Sequence, residues 1–578
     1  MDLEAVLQEG IGHHSAGRLG DAARCYALVL NRDPGNPDAC HLMSILALAA
    51  EEHATARELA ETAIKGQPDW FAPYVSLGNV CQSEGNHLQA IDAFQKAITL
   101  NAQCAEAYSN LSNALMQVGR AEDAANAAVN AIVIDGALAE AHNNFGNALL
   151  GLESASEACE AYVKAIALRP DFSEAWYNLG NAKVATGEYV EAVSVYRKAI
   201  ELQPSAAKHY NLANTLARVG RFDEALASFH DALALDPLFL AAGINLSSLL
   251  KQLERLDEAE AVLRRFLVHY PDETELHWNL SLALLQAGKY REGWAEYEWR
   301  WKTPSFRLFA RDFGRPEWMG GDLSGKSILV HAEQGFGDAI EFCRFVPKLA
   351  DLGAEVVFEC RKGLVRVFET IDPRIKVVGL GNPLPDTDLH VPMMSLPHRL
   401  GVELDGVTPV GPYLSVPEGV GDFSDVAAAS GRKIGLVWAG GGSRRDNADR
   451  SCEAADFLPL LDVAGCRFFS LQVGPFADQA QLFGDKVVDL SSRLTDFAET
   501  AAAIAQLDLV ISVDTAVVHM AGALGKPVWV LLSKPSNGFL WMLDRGDSPW
   551  YPNACLFRQV KTGEWRELIS RVRGRLEQ

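Results

Sequence analysis

Small and large apolar positions recur along the first half of the chain at a fixed spacing. The phrase A-x3-F/Y-x2-A-x4-P appears, whole or in part, as Ala22/Tyr26/Pro34, Ala192/Tyr196/Ala199/Pro204 and Ala225/Phe229/Ala232/Pro237. Ala90/Phe94/Ala97 and Ala158/Tyr162/Ala165/Pro170 keep the same spacing. The period of about 34 residues marks an internal repeat. Units begin near Leu3, Pro37, Phe71, Ala105, Ala139, Ser173, Ala206, Leu240 and Thr274. Each unit reads as two antiparallel helices. Alanines, with Gly78, Gly146 and Gly180, allow those helices to approach closely; Leu, Phe and Tyr fill the space between pairs; Pro ends the second helix. A single pair cannot bury its apolar face, so the pairs stack into one superhelix.

The period and the residue pattern resemble tetratricopeptide repeats. A second regularity runs through the units. Position 6 is Asn110, Asn144, Asn178, Asn211, Asn245 and Asn279, and position 9 is Asn79, Asn113, Asn147, Asn181 and Asn214. Both lie on the first helix, three residues apart, and so share a face. In such superhelices the first helices line the concave surface. An asparagine amide offers both a donor and an acceptor, the complement of a peptide bond. The position 9 series reads as ties between neighbouring helices. The position 6 series has no evident packing role and reads as contacts to a bound polypeptide backbone. The ladder resembles that of the repeat domain of O-linked N-acetylglucosamine transferases.

After Tyr297 the period stops at an aromatic cluster, Trp294, Trp299 and Trp301. A segment bearing Pro304, Gly314, Pro316, Gly320 and Gly321 follows. The pattern then changes to short apolar runs separated by helical stretches. Expected strands are Ser327–His331, Val356–Glu359, Val377–Leu380, Leu389–Pro392, Ile434–Trp438, Phe468–Leu471, Val487–Leu490, Leu509–Val513 and Val528–Leu532. Buried runs alternating with helices predict parallel sheets covered on both faces. The expected organisation is an all-α superhelix at 1–302, a junction at 303–325, and two Rossmann-like halves at 326–418 and 419–578. An amphipathic helix over Glu564–Leu576 is expected to pack back onto the first half.

Composition narrows the function. The formal charge of −23 disfavours nucleic acid and anionic lipid as partners, without excluding a local basic pocket. Ten cysteines without a C-x-x-C pair indicate neither a zinc site nor a disulfide framework and fit a reducing cytoplasm. MDLEAVLQEG lacks the features of a signal peptide. The apolar run around Leu509–Leu532 is interrupted by Asp514, His519 and Lys526, which argues against a membrane span.

Ile328–Gln559 resembles glycosyltransferase family 9, the heptosyltransferase-like family, and within it the branch fused to tetratricopeptide repeats. The phrases are ILVHAEQGFGDAIEF, VGLGNPLPDTDLHVPMMSLPHRLG, GLVWAGG…DRS, SLQVGP, LDLVISVDTAVVHMAGALGKPVWVLL and LDRGDSPWYP…LFRQ. The resemblance implies a GT-B fold and inverting transfer from a nucleotide sugar, with no metal or further cofactor. Gln334, Gly335, Gly337 and Asp338 follow the first strand, where α/β sheets bind ligands. From the residues alone Asp338 fits a helix cap as well as a base; the resemblance implies the general base on the acceptor side. Asp514, Thr515 and His519 follow a strand at a helix start, where backbone N–H groups suit a diphosphate. Gly440, Arg444, Arg450 and Ser451 form a glycine- and arginine-rich loop suited to phosphate. Here the chain departs from its relatives: Gly441-Gly442 replaces Asn-Pro after WAG, and Ser533–Phe539 lacks Asp-Trp-Arg. Asp386-Thr387-Asp388 has the D-x-D spacing, yet reads as a turn. Asp544, Trp550 and Tyr551 read as structural.

These expectations combine into a protein O-glycosyltransferase. Its repeats hold an acceptor protein, flagellin by analogy, and its cleft transfers a sugar to Ser or Thr. Two alternatives are a scaffold with an inactive transferase domain and an enzyme acting on envelope saccharide.

Overall fold

The computed structural model describes residues 2–333, 335–409, 411–441, 450–534 and 538–578. The chain divides into two compact bodies, Met1–Ala242 and Gly243–Gln578.

Among the described residues the first body holds fourteen helices, from Leu3–Ser15 to Phe222–Leu235, paired as the repeat predicts. The close approach expected at the glycines is present. A Cβ on Gly78, Gly146 or Gly180 would lie 2.4, 2.6 or 2.4 Å from the ring of Phe94, Tyr162 or Tyr196. The repeat alanines are buried, and Phe94, Tyr162 and Tyr196 fill the space between helices.

The second body begins within helix Leu240–Gln252 and continues through Leu256–Leu267, Thr274–Gln286 and Tyr290–Tyr297 to a 3-10 turn, Glu298–Lys302. Two wholly parallel sheets follow. The first contains β1 (Ser327–His331), β2 (Glu355–Cys360), β3 (Ile375–Gly379) and β4 (Leu389–Pro392) in the order β3-β2-β1-β4. Its register places Ile328 opposite Val356 and Leu389. The second contains β5 (Arg432–Val437), β6 (Cys466–Ser470), β7 (Val487–Asp489), β8 (Leu509–Val513), β9 (Val528–Leu532) and β10 (Ala554–Arg558). Their order is β10-β9-β8-β5-β6-β7, with Ile434 opposite Phe468 and Leu509. Each order reverses beside its first strand, between β1 and β4 and between β5 and β8. In open parallel sheets this switch point is where ligands bind. A helical repeat half followed by a parallel-sheet α/β half is the architecture that the sequence predicts.

Three details differ from expectation. Strand β10 was not foreseen, because its five residues, ACLFR, are a short run of Ala, Leu and Phe mixed with Cys and Arg. The final helix, Trp565–Leu576, does not return to the first half: Trp565, Leu568, Ile569, Val572 and Leu576 bury against Ile434, Leu436, Phe457 and Leu509 of the second. The glycine-rich junction is also packed. Trp318 is buried, its N–H bonds the His390 carbonyl at 2.7 Å, and Glu317 bridges to β4.

The main core of the second body joins the last repeat helix to both sheets. Tyr290, Trp294 and Tyr297 are buried with Phe342, Trp541, Trp550 and Tyr551. Trp294 stands edge-on to Phe342 and Phe539, with ring centroids 5.7 and 5.5 Å away, and the Trp550 indole N–H donates to the Tyr290 hydroxyl at 2.7 Å. Among the described residues no helix is long and apolar enough to cross a membrane. Trp294→Ala should cost about 3–5 kcal/mol, the usual range for truncating a buried aromatic. Urea unfolding monitored by circular dichroism checks this, and a loss below 1 kcal/mol would exclude the ring as a keystone of this core.

Candidate active site

Each switch point opens a loop that contains predicted residues. After β1 the chain turns into helix Phe336–Phe342. Asp338, in its first turn, accepts the Gly335 N–H through Oδ2 at 3.1 Å. The capping geometry is therefore present, and the carboxylate keeps its second oxygen for other partners.

After β8, Asp514 and Thr515 lead into helix Ala516–Ala523. Thr515 is the N-cap residue, and its hydroxyl lies 3.1 Å from that of Ser512. His519, one turn into this helix, is buried, and its Nδ1 meets the Tyr551 hydroxyl at 2.9 Å. Its ring lies against the first loop: a Cβ on Gly337 would be 3.1 Å from His519 Cδ2. Burial pushes His519 down to about 4, against the opposing pull of Asp338, so the imidazole is neutral near pH 7. A neutral ring held by Tyr551 and packed on Gly337 is a brace between the two halves.

After β5 the loop begins Trp438-Ala439-Gly440. The Gly440 N–H donates to Ser451 Oγ at 3.1 Å. The next residue back, Arg450, has a guanidinium nitrogen 3.7 Å from Asp514 Oδ2. Burial raises the Asp514 carboxyl, and Arg450 opposes that shift. The structure thus brings Arg450 to Asp514 and Gly337 to His519, so the loops after β1, β5 and β8 converge. Gln334 and Arg444, also predicted here, lie outside the described residues.

Several supporting residues were missed. Gln472, inside the SLQVGP phrase, is buried and holds the loop after β5. It accepts the N–H groups of Trp438 and Ala439 at 3.1 and 2.9 Å and donates to the Ala439 carbonyl at 3.0 Å. Glu333, just before Gln334, forms a buried ion pair with Arg300 from the turn that ends the repeats; their side chains are 1% and 0% exposed. Arg300 donates to Glu333 at 2.9 Å, Ser395 at 2.7 Å and Glu298 at 2.7 Å, and Glu333 accepts the Met394 N–H at 2.9 Å. Burial raises the Glu333 carboxyl, opposed by Arg300. One turn beyond Asp338, burial raises the Glu341 carboxyl well above its ordinary value. No local signal marks the Arg300–Glu333 pair, because Glu333 and Ser395 lie 33 and 95 residues from Arg300.

The position 9 residues Asn79 and Asn181 tie neighbouring units as expected, and the position 6 series has a packing role that the sequence did not reveal. Asn110 donates to Asn79 at 2.9 Å, Asn178 to Asn143 at 3.1 Å, and Asn211 to Asn181 at 3.1 Å and Tyr177 at 2.8 Å. Asn144 donates to the Ser109 carbonyl at 2.9 Å. Asn144 and Asn279 are only 7% and 8% exposed. Asn110, Asn178, Asn211 and Asn245 are half-buried. The position 9 residues Asn147 and Asn181 accept the hydroxyls of Tyr162 and Tyr196, both at 2.7 Å.

Two groupings with ligand-like spacing are otherwise occupied. In Asp386-Thr387-Asp388, at the N-terminal end of β4 and so away from the switch loops, Asp388 accepts the Ser327 N–H and hydroxyl at 2.7 Å. Among the described residues, Glu9, His13 and Cys25 of the first repeat have metal-ligand spacing. Arg18 donates to His13 Nδ1 at 2.9 Å, which leaves the ring proton on Nε2, the nitrogen facing Glu9.

Residues 76–140 and 143–207, and again 216–281, match families described as tetratricopeptide repeat; residues 479–558 match glycosyltransferase family 9 (heptosyltransferase). Protein FlbA of Caulobacter vibrioides is 27% identical over 335 residues, covering 50% of this chain and 52% of its own. The chain thus spans about half the length of the curated relative it matches. Among solved structures, a tetratricopeptide repeat protein from Parabacteroides merdae is 12% identical, over 43% of this chain and 98% of its own, at TM-score 0.36. A thermophilic repeat protein from Thermus thermophilus is 20% identical, over 31% and 98%, at TM-score 0.29.

Two predictions follow from the geometry around the loops. Arg300→Met alone should cost about 3–5 kcal/mol, because it leaves the Glu333 carboxylate buried without its cation, and Glu333→Gln should cost less, because Glu298 still pairs with Arg300. The double variant Arg300→Met/Glu333→Leu should recover most of that in urea unfolding; a double variant no better than the singles would contradict this. His519 is neutral when folded, whereas its unfolded form takes up a proton below about 6.5. Its contribution is complete above pH 6.5 and lost as pH falls toward 4. His519→Gln should therefore flatten the stability profile across that window, and an unchanged slope would show that the ring titrates normally.

Proposed function

For a chain that joins tetratricopeptide repeats to a glycosyltransferase family 9 domain, we propose the activity of a protein O-glycosyltransferase with a GT-B cleft. The convergence of three switch-point loops supports this reading, with a carboxylate on one side and an arginine–aspartate pair at a helix start on the other. A nucleotide sugar would bind on the β5 and β8 side. Arg450, with Arg444, would face the diphosphate, Asp514 would orient Arg450, and Thr515 and the N–H groups of helix Ala516–Ala523 would complete the anion site. Gly440 and Ser451, joined by a hydrogen bond, would line this side.

On the other side a Ser or Thr hydroxyl of the acceptor would approach Asp338, with Gln334, Gly335 and Gly337 forming the wall. Its oxygen attacks the anomeric carbon, the bond from that carbon to the diphosphate oxygen breaks, and Asp338 takes the hydroxyl proton. Attack opposite the leaving group inverts the anomeric centre. Arginine and helix N–H groups offset the charge of the departing diphosphate, so no metal is needed.

The repeats would hold the acceptor protein. Asn110, Asn178, Asn211 and Asn245, half-buried, are the rungs suited to touch its backbone with the remaining N–H and carbonyl; Asn144 and Asn279 serve the packing. The ten free cysteines accord with work in the cytoplasm, and flagellin is the first acceptor to test. The departures in the WAG loop and at Ser533–Phe539 favour one second reading, a scaffold with an inactive transferase domain.

Intact-mass analysis of a co-expressed acceptor separates the two. Wild type should add sugar-sized increments, and Asp338→Ala should reduce the transfer rate by roughly 10²–10⁴-fold, the usual contribution of a general base, while leaving nucleotide-sugar binding intact. Undiminished transfer by Asp338→Ala would remove that residue as base. No increment from wild type, with a donor pathway and acceptor present, would favour the scaffold.

A further inference from the structure

A chain of hydroxyls leads from Arg344 to His519 within the second body, and its partners fix the direction of each proton. Arg344 offers only N–H groups, so the Tyr413 oxygen accepts its Nη2 at 2.9 Å. The Ile340 carbonyl can only accept, so the single Tyr413 proton goes to it at 3.1 Å. Tyr413 then has no proton for its next neighbour, the Tyr551 hydroxyl. Tyr551 is wholly buried, and its own proton has two possible destinations. The Tyr413 oxygen lies at 3.5 Å, the far limit of a hydrogen bond, and His519 Nδ1 at 2.9 Å. The shorter contact takes it. Nδ1 therefore accepts, and the proton of the neutral imidazole stands on Nε2.

The Nε2 edge faces the loop after β1. A Cβ on Gly337 would lie 3.1 Å from His519 Cδ2 and 3.4 Å from Nε2, so glycine here leaves the N–H uncovered. Among the described residues Nε2 meets no hydrogen-bond partner. Asp338 follows Gly337 directly, with one oxygen given to the Gly335 N–H and the other uncommitted. Its charge acts on the imidazole, against those of Arg344 and Arg450. Phenylalanine would fill the Tyr551 volume equally well; the hydroxyl adds direction to the ring it touches.

We propose that Tyr551 is a positioning residue, which holds His519 as the Nε2–H tautomer so that this N–H steers the free oxygen of Asp338 toward the acceptor hydroxyl. The assignment rests on the reading of Asp338 as the base of a glycosyl transfer. Ring and phenol keep their protons throughout: the acceptor proton goes to Asp338, and the N–H only directs the oxygen that receives it. Tyr551, structural by its sequence context, thereby acts on the chemistry through His519.

Nitrogen NMR of the full chain with nitrogen-15-labelled histidine reads the tautomer, and His519→Gln identifies the ring by the signals it removes. Wild type near pH 7 should show an unprotonated Nδ1 and a protonated Nε2, and Tyr551→Phe should shift the Nδ1 signal by removing its donor. Transfer to co-expressed flagellin, followed by intact mass over time, supplies the second readout. Tyr551→Phe should slow sugar addition about tenfold, the scale of one hydrogen bond, at unchanged circular dichroism. His519→Leu should slow it about 100-fold, the scale of a misplaced reacting group, and His519→Gln less, because its amide keeps an N–H at that end. A proton on Nδ1 in wild type, or undiminished transfer by Tyr551→Phe, would overturn the assignment. Inorganic pyrophosphate binding weakened by Tyr551→Phe would do the same and place the ring at the donor instead. No transfer by wild type would overturn the transferase reading and with it the use of the tautomer, which the spectrum still decides by itself.

Discussion

A guanidinium removed wholly from water must find its countercharge and its hydrogen-bond acceptors inside the protein, and Arg300 finds both across a boundary of architecture. It stands where the helical repeats end, and Glu333 stands where the first sheet meets its switch point. Glu298 shares the guanidinium, and the Arg300–Glu333 pair fastens the chain just before the Asp338 loop to the turn that ends the repeats. The aromatic layer of Tyr290, Trp294 and Trp550 surrounds the same joint with apolar area. The candidate base thus lies close in the chain to a residue, Glu333, held by the turn that ends the repeats.

The two sheets are tied by arginines in a similar way. Arg344 donates to the carbonyls of Val407 and Trp550 at 2.9 and 2.8 Å and to the Tyr413 hydroxyl at 2.9 Å. Arg366 reaches Asp496 and Glu499 at 3.1 and 3.0 Å. One clasp is buried and directed mainly at neutral oxygens; the other is half-exposed and ionic. With His519 packed on Gly337 between them, the first and second halves have a fixed seam beside the converging loops.

Periodicity made the fold legible. Nine of the ten strands and the helix pairs follow from apolar spacing, because burial on both faces of a sheet or one face of a helix leaves a regular trace. Strand β10 leaves almost none, since ACLFR sits at a sheet edge. The final helix shows the limit of analogy: its apolar stripe was plain, yet which sheet receives it depends on the tertiary position of Phe457 and Ile434. At the candidate site, Asp338, Arg450 and Asp514 were found because glycines and strand ends announce switch-point loops. Arg300, Glu333 and Gln472 were not, because a buried polar pair is recognised only by a partner distant in sequence. The asparagine ladder was visible as a series, while its use in joining repeats requires the hydroxyls, carbonyls and amides of the preceding unit.

The body that contains both sheets begins at Gly243, well before the repeats end. Its last helices therefore form a resident adaptor, part of the sheet-bearing framework as much as of the repeat array. Several upstream units are built alike, with an aromatic ring against a glycine at Gly78, Gly146 and Gly180. The adaptor is built differently, since Trp294 and Arg300 fit one socket only. Variation in the upstream repeats then leaves the switch-point loops untouched, while the terminal units are constrained by the sheets they pack against.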